Sequence, residues 1–169
     1  MKLGLAVLRT ILGVLFIGHG TQKLFGWFQG EGLRDTGDEF ESIGLRPGRP
    51  HATTAGVSET VGGALIATGF MTPLGAALIT GVMTQAIRSV HAGKGPWFDD
   101  GGWEYNVVLI AAVFAIADLG PGDWSLDHVL HTEHAGPRWA TAAVGAGVAG
   151  PVLTTPALFF LAAEAGLPV

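Results

Sequence analysis

The chain has 169 residues, of which 49% are hydrophobic, only 14% charged and 27 glycine, with a formal net charge of −5 and a mean hydropathy of +0.44. Ordinary soluble domains carry about 25% charged residues and about 7% glycine, so this chain has too little charge to cover a soluble surface. Its glycines sit among Leu, Ile, Val, Ala and Phe, which excludes glycine-rich disorder. Acidity without a basic stripe excludes nucleic-acid binding, and the absence of cysteine removes disulfides, iron–sulfur clusters and thiolate zinc sites, which leaves an integral membrane protein.

The first apolar run, about 3–28, is long enough to span a bilayer and carries Arg9, His19 and Lys23. Arg9 interrupts it and no small-residue cleavage site closes it, so it reads as a retained first helix. A polar loop over 29–51 follows, holding Glu31, Arg34, Asp35, Asp38, Glu39, Glu41, Arg46 and Arg49. Residues 60–87 are free of charge and too long for one span; the Gly-Phe-Met-Thr-Pro string at 69–73 divides them. A second helix over about 52–70 and a third over about 73–91 are therefore expected as antiparallel neighbours. After a loop at 92–102, a fourth helix covers about 103–119 and ends at Gly120-Pro121-Gly122. A polar stretch leads to an uncharged run at 139–163, a fifth span that Pro151 and Pro156 should kink. The expected fold class is an all-α integral membrane protein, a four-helix transmembrane bundle plus a fifth C-terminal transmembrane helix. Gly13, Gly18 and Gly20 in the first helix, and Gly56, Gly62, Gly63 and Gly69 in the second, fit close helix packing in lipid.

Three strings, GHGTQKLFGWFQGEGL at 18–33, SETVGGALIATGFMTPLGAAL at 58–78 and GGWEYNVVLIAAVFAIADLGPGDWSLD at 101–127, together resemble the DoxX family of small bacterial membrane proteins. The resemblance implies a four-helix membrane domain over 1–127, with a histidine-containing linker and C-terminal helix over 128–169 standing outside the short family pattern. It also implies residence in the inner (plasma) membrane with several passes, and a link to respiratory or sulfur redox chemistry. Relatives act beside quinol oxidases and in thiosulfate:quinone oxidation, and others resemble scaffolds that join redox enzymes at the membrane.

Ionisable side chains inside a bilayer cost about 2.5–3.5 kcal/mol each on insertion scales, so they need partners or a purpose. Helix directions put the 29–51 and 92–102 loops on one membrane side. At 1.5 Å per residue, His19, Glu59 and Gln85 fall at roughly 3–5 Å from mid-bilayer toward that side, and Lys23, Arg88 and Glu104 at roughly 9–11 Å. The first three form the candidate ligand-binding layer. Glu59 either pairs with His19 or Lys23 to lock the bundle or serves as a proton-accepting, ligand-binding group; His19 opposite it would relay protons or hydrogen-bond a quinone carbonyl. Lys23, Arg88, His91 and Glu104 are otherwise explained by snorkelling and interfacial pairing, and Arg9 by a contact with Asp118. All five tryptophans flank expected spans, an aromatic-belt distribution.

His128 and His131 share one helical face, but His134 falls off it and no cysteine supports them, so no metal site is assigned. No phosphate loop, nucleophile elbow or HExxH string is present, which leaves at most an oxidoreductase subunit without a self-contained catalytic motif. The reading favoured by the polar layer and the resemblance is an accessory or quinone-interacting subunit of a membrane redox system. Its partners would be the lipid bilayer, quinone and soluble or membrane redox proteins, with a homo-oligomer compatible. A non-catalytic scaffold docking soluble redox partners through the 29–51 loop is the alternative. A small transporter element is less favoured, because the polar groups gather on one side only.

Overall fold

A computed structural model of the chain describes residues 3–164, and all regular structure among them is helical. The helices are α1 (Leu3–Phe25), α2 (Gly32–Ser42), α3 (Gly48–Thr68), α4 (Thr72–Ala86), α5 (Glu104–Leu119), α6 (Leu126–Leu130) and α7 (Pro137–Glu164). A π-helical turn over Ile87–His91 extends α4. Helices α1 and α7, the latter over Pro137–Leu158, are long and apolar enough to cross a membrane.

Boundaries follow from backbone chemistry. Gly26 (φ 70°) ends α1, and Gly69 (φ 64°) ends α3, left-handed conformations that glycine adopts without steric cost. Pro73 stands in the first turn of α4, where its missing N–H is no loss. The apolar run over 60–87 is thus divided where the sequence indicates, into two antiparallel helices. Two expectations shift. The first helix stops at Phe25 and not at 28, and the second occupies 48–68 and not 52–70. Within the 29–51 stretch, expected as a loop, α2 folds as an amphipathic helix: it buries Thr36 and Gly37 and leaves Arg34, Asp35, Asp38 and Glu39 outside. Its many charges disguise a stripe that packs on α1 and α3. The Glu41 carboxylate then accepts a hydrogen bond from the Gly48 N–H at 3.0 Å, satisfying one free donor at the start of α3.

Helix α3 packs between α1 and α4, and α4 also packs against α5 and α7. The core joins Leu12 and Phe16 of α1, Ile66 of α3, Ile79 of α4, Ile116 of α5 and Ala140 of α7. Two glycine pairs let α1 and α3 touch backbone to backbone. A Cβ on Gly63 would stand 2.6 Å from the Gly13 carbonyl oxygen, and one on Gly56 would stand 2.7 Å from Cγ of Leu24 and 3.2 Å from the Gly20 carbonyl oxygen. Gly18, by contrast, has open space around it. The outward side of α1 carries exposed Val7, Leu8, Ile11, Val14 and Leu15, an apolar face left to the surroundings.

The polar stretch after α5 folds back against the α3–α4 turn. Arg9 donates to the backbone carbonyls of Pro121 (2.8 Å) and Trp124, not to Asp118. Asp127 is buried and accepts from the N–H groups of Met71 (3.1 Å) and Thr72 (3.3 Å) and the hydroxyl of Thr132 (3.0 Å). A carboxylate from a distant segment therefore caps the N-terminus of α4. Its own N–H returns a bond to the Gly69 carbonyl at 3.0 Å.

Candidate functional site

Helices α1, α2, α3, α4 and α7 line a half-open cavity of about 550 Å³. Its lining is largely apolar, including Ala77, Gly81 and Val82 from α4 and Gly147, Gly150 and Leu158 from α7. Its polar groups gather toward the α2 end: Lys23 from α1, His51 and Glu59 from α3, Gln85 and Ser89 from α4 and its extension, and Thr155 from α7. The sequence explains the split. α3 and α4 meet through Gly62 and Gly75 near their shared turn, and their bulkier polar residues come only further along. Cavities of about 300–1,000 Å³ with apolar walls and a few convergent polar groups are the usual form of small-molecule sites.

Glu59 is only 3% exposed, and its Oε2 lies 2.8 Å from Lys23 Nζ, which also donates to Oε1 at 3.0 Å. Lys23 keeps a quarter of its side chain exposed, so its flexible stem reaches inward to the carboxylate. Gln85 is held from two sides: its Nε2 donates to Ser89 Oγ at 2.6 Å, and its Oε1 accepts from Thr155 Oγ1 at 3.3 Å. That second bond ties α4 to α7 across the cavity.

His51 is 7% exposed, and its Nε2 is buried with no hydrogen-bond partner. It stands in the first turn of α3, ahead of the stretch expected to enter the bilayer.

The candidate residues from the sequence separate into two groups. Glu59, Gln85 and Lys23 come together on the cavity. His19 lies exposed on α1 and outside the lining. Arg88 is exposed on the π-helical turn, and Glu104 accepts from the Phe98 N–H at 2.7 Å, organising the entry to α5. Sequence reasoning missed His51, Ser89 and Thr155. His51 ended the supposed loop, and Thr155 lay in an uncharged run with no polar cue. On the far side, His128 pairs with Glu133 at 2.9 Å, and the His134 ring meets the edge of Trp139 at 4.5 Å between centroids. Among the described residues no cluster of three or more metal-ligating side chains occurs.

The family model described as DoxX matches residues 4–92, more than half of the chain. The third family-like string, at 101–127, lies beyond that match, and so does α7. No curated protein and no solved structure matches the chain.

Proposed function

The chain belongs to the DoxX family, and from that premise we propose that it is a multi-pass protein of the inner (plasma) membrane that binds quinone as an accessory subunit of a membrane redox system. In this reading α3, α4 and α5 cross the bilayer with α1 and α7, as a four-helix bundle joined by a fifth span. The observation that carries it is the cavity, apolar at its inner wall and polar at its α2 end, with a buried Lys23–Glu59 pair at its side. The residues present fit a quinone. A head group sits among Glu59, Gln85 and His51, and an isoprenoid tail follows the glycine-lined wall of α4 and α7 toward lipid. A bound quinone supplies two-electron, two-proton carrier chemistry; the chain's own residues hold the head group, exclude water with the apolar wall, and offer a carboxylate at Glu59.

Glu59→Gln tests the reading, because it preserves shape while removing the charge. Total quinone and quinol co-extracted in mild detergent and counted by mass spectrometry are expected to fall about tenfold, because a quinol hydroxyl loses its bond to a charged acceptor. Unchanged quinone content with an unchanged melting temperature would sink the site.

The scaffold reading has one observation of its own, the exposed acidic face of α2 at Asp35, Asp38 and Glu39. Charge reversal there, with loss of a co-purifying soluble redox protein and no loss of quinone, would favour it.

A further inference from the structure

The two halves of α7 are held to the bundle in different ways. Up to Pro151 the helix is clamped. Ala140, Ala143, Gly147 and Pro151 are buried at intervals of three and four residues, one stripe turned inward. At Gly147 the fit against α4 is so close that a Cβ would stand 2.5 Å from Cβ of Thr80 and 2.6 Å from the Ala77 carbonyl oxygen. Beyond Pro151 none of the described side chains is buried, and Val152, Leu153 and Leu161 are exposed. Among the described residues, one polar contact ties that half to the rest of the protein, the Thr155 hydroxyl on Oε1 of Gln85.

The change falls where the backbone is weakest. Pro151 has no N–H to give to the Gly147 carbonyl, and Pro156 has none to give to that of Val152, so α7 lacks two of its own hydrogen bonds between 147 and 156. Helices bend sharply at such points.

The contact itself is suited to release. At 3.3 Å it lies beyond the usual 2.5–3.0 Å of a hydroxyl bond to oxygen. A released Thr155 hydroxyl is not left unsatisfied, because the Pro151 carbonyl stands four residues back along its own helix. Thr154 already bonds in this way to Gly150 at 3.0 Å, and Thr141 to Pro137 at 2.6 Å. Such back-bonding also favours a bent helix. Opening therefore exchanges one hydroxyl bond for another.

Movement of this half uncovers the cavity, because Pro151, Thr154, Thr155 and Leu158 belong to its lining together with Gly147 and Gly150. We propose that α7 beyond Pro151 is a side gate to the cavity, hinged at Pro151 and latched by Thr155 on Gln85, through which the ligand passes to and from the hydrocarbon of the bilayer. The proposal rests on the quinone reading of the cavity and adds the route to it. A water-borne ligand gains nothing from an exit bordered by Val152, Leu153 and Leu161, whereas a long-tailed one leaves with its tail in lipid throughout.

The experiment uses the full chain in phospholipid nanodiscs and exploits a sequence without cysteine. Nitroxide pairs are attached to Val57→Cys with Leu153→Cys, beyond the hinge, and to Val57→Cys with Val148→Cys, before it. All three side chains are exposed and outside the cavity lining. Distances from pulsed electron resonance should be narrow for Val148 and broad or split for Leu153, and Thr155→Val should enrich the component farther from α3. A second measurement follows a decyl-chain benzoquinone. Thr155→Val should raise its binding and release rates about fivefold, the weight of one neutral hydrogen bond, with the dissociation constant within about twofold of wild type. Thr155→Ser, which keeps the hydroxyl, should exchange at the wild-type rate, and Pro151→Ala, which restores the missing bond, should slow exchange. A Leu153 distribution as narrow as that of Val148 overturns the gate and leaves the quinone reading standing. So does a Thr155→Val variant that binds more weakly without faster association, or that exchanges at the wild-type rate. Binding of no benzoquinone by wild type overturns both.

Discussion

Lys23 and Glu59 form an unequal pair. Lys23 is a quarter exposed and has a long stem, whereas Glu59 is almost wholly buried. Removing Glu59 leaves a lysine that can turn outward; removing Lys23 strands a carboxylate in the interior. Stranding the buried member of an ion pair costs about 3–5 kcal/mol, while replacing the whole pair by apolar groups is often neutral. Thermal unfolding should therefore show Lys23→Leu far less stable than Glu59→Leu, with the double variant near wild type. Equal losses in the two single variants would contradict this account. The pairing was readable in advance as one of two options for Glu59. Depth arithmetic put the two residues in adjacent layers roughly 6 Å apart, a gap that a lysine side chain bridges. His51 was not readable, because its burial comes from tertiary packing. It is buried only once α2 and the segment after it have folded onto α3.

At the scale of elements, the apolar helices were legible because length and composition alone mark them, and the α3–α4 division because Gly69 and Pro73 punctuate the run. Helix α2 was not, since dense charge hides a narrow stripe. Asp127 was grouped with its histidine neighbours, yet it caps α4 across a separation of 55 residues from Thr72, which no local pattern reveals. Asp127→Ala should cost on the order of 2–3 kcal/mol by leaving two backbone N–H groups unsatisfied, with Asp127→Asn milder. Denaturation midpoints check this, and a change below about 0.5 kcal/mol would remove Asp127 from the account. Gly63→Leu should be harsher still, because its side chain has nowhere to go but the backbone of α1 at Gly13 and Ile17. Gly18→Leu, pointing into open space, should fold normally.

For the whole molecule, the apolar face of α1 and the membrane character of the family agree on where the chain resides. Carbonate washing should leave it in the membrane pellet. In the proposed topology the Lys and Arg residues divide six to three, with Lys23, Arg34, Arg46, Arg49, Arg88 and Lys94 on the side of the 29–51 and 92–102 segments, against Lys2, Arg9 and Arg138. Positive residues favour the cytoplasm, so those segments and the carboxyl terminus are expected there. A reporter fused after Val169 should be active in the cytoplasm, and activity confined to the periplasm would reverse the orientation.

The wall of the cavity that α7 supplies lies beyond the stretch matched by the family, whereas Lys23, His51, Glu59 and Gln85 lie within it. In the proposed reading, most head-group contacts and the tail wall thereby fall in different stretches of the sequence. Under the proposed reading, exchange of the carboxyl-terminal helix would retune which hydrocarbon tail fits, at Gly147, Gly150 and Leu158, and would also take from Gln85 its bond from Thr155.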